Sequence, residues 1–234
     1  IHLGLYGQEL KNPPAGQSRT LTELLEKICS LPKLGRVRLS SIEINDVNDG
    51  LTALMARERR ICQHLHISLQ SGSDKILKLM NRPYDREYFR RRLIKLRQAM
   101  PDIAVTTDVI VGFPGETEKD FSDTLSFCEE MGFSKIHVFS FSAHEKTPAF
   151  TMPGRQSREV IADRSRRLRE LSSRLEREYY QLIMGRYRGR SLPAVFENYN
   201  HKTGIGKAKT EFYFDIPVKP GQLSGGRSLS DSLV

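Results

Sequence analysis

Cysteine is scarce in this chain. Its 234 residues hold three, Cys29, Cys62 and Cys128, far apart and inside apolar patterns. That spacing excludes a disulfide framework and a local Cys-x-x-Cys metal site, and no metal ligand set is assigned. The expected state is three reduced thiols, packed as small hydrophobes in a cytoplasmic protein. Long apolar runs are missing too, so no transmembrane helix is expected. No nucleophile elbow, His-Glu-x-x-His helix or phosphate-binding P-loop is present. The chain opens at Ile1 rather than Met, in what reads as the end of a strand over 1–7. The expectation is a fragment whose N-terminal part is missing.

What is present supports a packed core: 38% of the residues are hydrophobic. The length allows one large domain, or a domain with a small module. The net charge of +9 permits phosphate binding without establishing it.

One stretch organises the rest. Residues 105–111 are rich in Val, Ile and Thr, as in a parallel strand covered on both faces. Gly112 and Gly115 then allow a turn that a ligand can approach, with Pro114 stiffening it. Thr117 is placed to cap a helix, with Glu118 and Asp120 at its positive end. Elsewhere, strands are expected over 36–43, 64–70 and 135–142. Helices are expected from about 20, from 46 (capped by Asp46), from 73, from 85 and from 117. The alternation predicts βα units with parallel strands, and both an open doubly wound sheet and part of a (β/α) barrel fit it.

Ser157 is expected to cap a long helix to about 184, with an apolar stripe through Ile161, Leu168, Leu171, Leu175, Tyr179 and Leu182. Its arginines, Arg164 among them, read as a solvated face laced with ion pairs. Beyond it, 192–197 and 210–218 look like strands joined by a Gly/Lys loop, followed by a Ser/Gly-rich tail from 221. The domain division is 1–156 for the α/β part, 157–186 for the connecting helix and 187–234 for a small β module.

Polar residues gather at the expected strand ends: Ser41 and Glu43, Gln70 and Ser71, Asp108 with the 112–116 turn, then Ser140 and Ser142. In parallel α/β architecture these ends converge on one mouth. The mouth suits a polar organic cofactor with an amine, a carboxylate and hydroxyls. His64 and His66 share one strand face, and packing or hydrogen bonding is the favoured role for them. The basic stretch from Arg82 to Arg97 includes Arg86, Arg90, Arg91, Arg92 and Lys95, interleaved with Tyr84, Tyr88 and Phe89. With Lys202, Lys207 and Lys209 it fits an electrostatic track for RNA.

Taken together, these segments resemble the methylthiotransferase family of radical S-adenosylmethionine enzymes. The resemblance is carried by 38–43 (Arg-Leu-Ser-Ser-Ile-Glu), 64–74 (His-Leu-His-Ile-Ser-Leu-Gln-Ser-Gly-Ser-Asp), 79–84 (Leu-Met-Asn-Arg-Pro-Tyr) and 107–116 (Thr-Asp-Val-Ile-Val-Gly-Phe-Pro-Gly-Glu). His137-Val138-Phe139, Thr147-Pro148-Ala149 and Met152-Pro153 follow in order. The details look closest to the branch that modifies threonylcarbamoyladenosine beside the tRNA anticodon. Sister branches act on isopentenyladenosine in tRNA or on a ribosomal protein. A non-catalytic RNA-binding module is the rival of another class.

The resemblance implies a partial (β/α) barrel followed by a TRAM domain, a small RNA-binding β-barrel. It implies S-adenosylmethionine cleaved reductively at a 4Fe-4S cluster, and addition of a methylthio group to the adenine ring. On this reading Gly112, Pro114, Gly115 and Glu116 match the adenine-side glycine motif, beside Asp108. Ser41, Glu43, Gln70 and Ser71 are candidates for the ribose and methionine parts, and Arg82 for a carboxylate or phosphate contact. Arg90, Arg91, Lys202, Lys207 and Lys209 are the RNA candidates. No catalytic residue, reductant or sulfur donor is assigned. The chain also departs from the family. The Cys-x-x-x-Cys-x-x-Cys motif of the radical cluster and the three cysteines of a second cluster are absent, and would precede Ile1. The chain alone is therefore expected to be inactive.

Overall fold

The computed structural model describes Leu3, Tyr6, Gly7, residues 20–190 and residues 192–219. The expected strand end over 1–7 falls mostly outside them, and the loop over 8–19 and the tail from 221 wholly so.

Four parallel strands form the main sheet: β1 (Ser41–Ile42), β2 (His64–Ile67), β3 (Ala104–Val111) and β4 (Lys135–Ser140). Their spatial order is their chain order. Helices α1 (Leu21–Cys29), α2 (Asp49–Arg57), α3 (Asp74–Leu79), α4 (Arg86–Ala99), α5 (Glu118–Met131) and α6 (Arg158–Arg186) surround it. A doubly wound sheet reverses its order and carries helices on both faces. Here the order does not reverse. One core joins Leu25, Leu51, Leu93, Phe121, Phe127 and Leu168 of the helices to Leu65, Ile67, Val105, Val109 and Val111 of the strands. The alternate strand residues, His64, His66, Thr106, Asp108 and His137, line a cavity on the other side. Sequential order with one-sided helix packing is the geometry of a (β/α) barrel segment.

Local signals account for most helix starts. Thr20, Ser73, Asp85, Thr117 and Ser157 each accept a backbone N–H from the first turn of the helix that follows. The cap of α2 is a correction: Asn48 accepts from Leu51 N, while Asp46 lies in a 3-10 turn that precedes it. The strand expected over 36–43 is shorter than its pattern. Val37 makes an isolated bridge to Ile61, and ladder pairing resumes only at Ser41. All three cysteines are buried, and Cys128 is pushed up to about 12 by that burial.

Helix α6 braces the sheet edge. Ser172 Oγ accepts from Ile136 N (2.9 Å) and donates to Ile136 O (3.1 Å), which satisfies β4 on its unpaired side. Its stripe ends on Ile183, which is buried, whereas Leu182 is exposed. Beyond α6 an antiparallel sheet of β5 (Ala194–Asn200), β6 (Ile205–Thr210) and β7 (Asp215–Val218) stands apart from the main sheet. The stretch read as a Gly/Lys loop is strand β6. Its glycine is required by packing: a Cβ at Gly206 would meet the Phe196 ring at 2.5 Å. The run over 210–218 is not one strand, because it turns at Tyr213 (φ +65°) before β7. Phe212 from this turn packs with Ala104 and Ile183, so the small sheet docks where β3 begins and α6 ends.

Asp120 ties two helix starts together. Its carboxylate accepts from Ser73 Oγ (2.8 Å), Lys75 Nζ (2.8 Å) and Thr117 N (2.9 Å). Burial alone would raise its pKa; the Lys75 ammonium and the Thr117 and Ser73 hydrogen bonds outweigh that and hold it well below the usual carboxylate range. The carboxylate therefore stabilises the fold above the unfolded pKa of about 4, and this contribution is lost as pH falls toward the folded value. Asp120→Asn is expected to lower unfolding free energy by about 2 kcal/mol at pH 7. It should also flatten the fall in stability below about pH 4. Urea titrations at several pH values check both.

Candidate cofactor site at the strand ends

Short-range structure delivers Arg82 to Glu43. After α3, Asn81 takes a left-handed conformation (φ +55°) and Arg82 N bonds Leu77 O (2.9 Å). Tyr84 then anchors the segment, its hydroxyl donating to Ser68 O (2.9 Å) at the end of β2. This places Arg82 Nη1 3.1 Å from Glu43 Oε1, just past β1. Each residue keeps a second polar atom that is buried without a hydrogen-bond partner, Arg82 Nε and Glu43 Oε2. Such atoms are costly to leave unpaired. A donor from a cation and an acceptor from an anion are the groups that complement a zwitterionic amino-acid group.

Gln70 follows β2 with φ +67°, unusual for a residue with a side chain. Its N–H bonds Asp108 O (2.8 Å) and its carbonyl accepts from Ile110 N (2.9 Å), so the strain is held by β3. Ser41 is exposed and stands opposite His66 in the ladder. Ser71 points elsewhere. It is fully buried, with its hydroxyl 3.3 Å from Thr124 Oγ1 of α5, so the alternation at the strand end turns it into the packing.

The 112–116 turn is held from behind. Gly112 has φ +81°, and a Cβ there would meet Ile161 of α6 at 2.4 Å. Its openness thus admits a helix rather than a ligand. Gly115 keeps space: a Cβ there would meet only Leu79 Cδ1, at 3.7 Å. Its N–H donates to Gly154 O (2.9 Å). Glu116 does not face the mouth. It is buried, and its Oε2 accepts from Gly112 N (2.8 Å) and from Arg164 Nη1 (2.9 Å). Arg164 is buried as well, a correction to its reading as part of a solvated face. The signal was available: Arg164 sits three after Ile161 and four before Leu168, on the apolar stripe.

On the face away from the helices, Ser41, His64, His66, Thr106, Asp108, His137 and Phe139 line a cavity of about 470 Å³ with Arg38 and Tyr213. His66 Nε2 lies 3.0 Å from Asp108 Oδ2, and its Nδ1 lies 2.9 Å from Thr106 Oγ1. His64 is buried 3.1 Å from the same hydroxyl and stacks on Tyr213 with ring centres 4.2 Å apart. These are hydrogen-bonding and packing roles. Among the described residues no group of three or more His, Cys, Asp or Glu side chains could hold a metal ion.

The basic stretch is largely spoken for. Arg90 pairs with Glu130 and Glu87, and Arg91 lies 3.7 Å from Glu87. Arg92 and Lys95 meet Asp49, and Arg97 donates to the carbonyls of Met131 and Gly132. Lys207 and Lys209 both pair with Asp215. Lys202, in the turn after β5, has no ion-pair partner among the described residues. Exposed pairs of this kind are weak, so phosphates can compete for them.

Comparison with known proteins fits this geometry. Residues 15–128 match the Radical SAM superfamily. The chain is 43% identical over 188 residues to threonylcarbamoyladenosine tRNA methylthiotransferase MtaB of Thermotoga maritima, covering 80% of this chain and 42% of that protein. It is 42% identical over 179 residues to the Bacillus subtilis protein of the same name, covering 76% and 39%. It is 38% identical over 181 residues to tRNA-2-methylthio-N(6)-dimethylallyladenosine synthase of Acetivibrio thermocellus, covering 77% and 37%. The chain thus spans about two fifths of the length of these relatives. Coproporphyrinogen III oxidase (HemN) of Escherichia coli, a radical SAM enzyme, superposes with a TM-score of 0.51 at 16% identity, covering 66% of this chain and 36% of that one. That likeness shows the fold alone.

Burial, together with the Arg38 guanidinium, pulls His64 down to about 3, far below its ordinary 6.5. Between those values the unfolded chain takes a proton that the folded protein refuses, so stability falls as pH falls. His64→Gln is expected to weaken the fall in thermal midpoint between pH 7 and pH 5. An unchanged slope would place the titrating group elsewhere.

Proposed function

We propose that this chain is the cofactor-binding part of a tRNA methylthiotransferase. The substrate assigned is threonylcarbamoyladenosine beside the anticodon, in keeping with the two MtaB relatives at 43% and 42% identity. The dimethylallyladenosine branch, at 38%, is the second reading. The observation that carries the site is the Glu43–Arg82 pair, each with a buried polar atom still unbonded.

The residues present fit S-adenosylmethionine. Arg82 Nε would hold its carboxylate and Glu43 Oε2 its ammonium, both as charge-assisted bonds. Ser41 and Gln70 are the candidates for the ribose, and the 112–116 turn for the adenine side. When bound, the cofactor with a 4Fe-4S cluster supplies one-electron chemistry. The described residues do not fit the cluster, since the thiols lie buried on α1, before β2 and on α5. What this chain contributes is binding and orientation: it fixes the amino-acid end and the adenosyl end of one ligand against a rigid sheet.

The division at 157 and 187, and the reading of the small sheet as a TRAM-type RNA-binding module, belong to the same proposal. Three antiparallel strands with Lys202, Lys207 and Lys209 on or beside β6 support it. The partner assigned is tRNA.

The full-length gene product, purified without oxygen, should contain iron and labile sulfide and bind S-adenosylmethionine. Arg82→Met and Glu43→Gln should each weaken that binding by about tenfold or more. Affinity within twofold of the parent would remove the pair from the site. Transfer RNA from a strain lacking the gene should lose the methylthio group on threonylcarbamoyladenosine; its loss on dimethylallyladenosine instead would favour the second reading. No iron after reconstitution would leave an RNA-binding module.

A further inference from the structure

We propose that Arg164 of α6 is a cofactor-positioning residue: it holds Glu116, and through it Gly112, in the conformation that receives the adenosyl part of S-adenosylmethionine. The inference rests on the cofactor reading above and extends it to a helix beyond residue 128, where the superfamily match ends.

The geometry is specific. Arg164 is 4% exposed on a helix whose other arginines mostly reach water. Its Nη1 donates to Glu116 Oε2 (2.9 Å) and to Glu116 O (3.1 Å), and its Nε donates to Glu118 Oε2 (3.2 Å). Phe121 lies beneath the guanidinium, 5.5 Å away. One oxygen, Glu116 Oε2, therefore receives both the Gly112 amide and the guanidinium. Side chain and main chain of Glu116 are held by the same cation.

Three contacts that hold the turn come from one short stretch, and Lys75 of α3 adds a fourth by donating from Nζ to Gly115 O (2.9 Å). Gly154 O takes the Gly115 N–H, Ile161 fills the space beside Gly112, and Arg164 closes on Glu116. Gly115 is the residue of the turn left partly exposed, and a ligand would meet the turn there. A buried ion pair is weak evidence for stability, because desolvating two charges offsets most of their attraction. Here both partners instead bond the backbone of the turn, so the pair acts on position. Arg97 offers the contrast: a second largely enclosed arginine, bonded only to carbonyls at the end of α5, away from the mouth. Lysine could not replace Arg164 fully, since one ammonium does not reproduce the guanidinium fork.

The test measures S-adenosylmethionine affinity of the cluster-loaded full-length gene product by equilibrium dialysis. Arg164→Met and Glu116→Gln should each weaken binding about tenfold, and the double variant should be no weaker than the worse single one. Arg164→Lys should lie between parent and Met, and it covers the case in which the Met variant does not fold. Arg97→Met should lower the thermal midpoint without moving affinity more than twofold. Folded Arg164 variants with parental affinity, equal losses in Arg97→Met, or losses that multiply in the double variant would each overturn the inference. A parent protein that binds no S-adenosylmethionine would overturn the cofactor reading as well, which separates the two failures.

Discussion

One-sided burial of a parallel sheet is the constraint on which this structure depends. Leu65, Ile67, Val105, Val109 and Val111 face the helices and are excluded from water. Alternation along each strand then commits His64, His66, Thr106 and Asp108 to the other side. That side is not a second apolar layer, so it can keep histidines, a hydroxyl and a carboxylate in hydrogen-bonded contact. Because the strands are parallel, the ends followed by Glu43, Gln70 and the glycine turn lie along one edge of the sheet.

Helix α6 converts this sheet into a supported site. Over its 29 residues it closes β4 through Ser172, packs Ile161 on Gly112, and reaches the small sheet through Ile183. Near its far end Tyr179 donates to Asp102 O (2.8 Å), just before β3. A single rigid element thus touches the turn that opens α5 and the module that follows it. A side-chain bond adds to this bracing: Arg38 Nη2 donates to Thr210 O (2.7 Å), which fixes the small sheet beside the first strand.

Much of this was legible in the residues. Thr117, Asp85, Ser73 and Ser157 marked helix starts through local hydrogen bonding, which requires no knowledge of the fold. The Val, Ile and Thr of 105–111 marked a strand, but not that Thr106 and Asp108 would face a cavity instead of a second covering layer. Where the reading failed, a distant partner decided, except at α2. There the failure was local: Asp46 and Asn48 are both competent caps, but Asp46 is taken into the preceding 3-10 turn and Asn48 accepts from Leu51 N. The Gly/Lys stretch became β6 because Phe196 needs the space that Gly206 leaves.

The sequence by itself determined the βα alternation, the polar strand ends and the family resemblance, since these rest on neighbours within a few positions or on motif order. The tertiary structure alone decided between a doubly wound sheet and a barrel segment, because only strand order distinguishes them. It also decided the partners of the polar residues. Glu43 and Arg82 lie 39 positions apart and pair, whereas Glu116 meets Arg164, 48 positions on. No periodicity records which of two carboxylates will find its guanidinium in the core and which will keep an oxygen free.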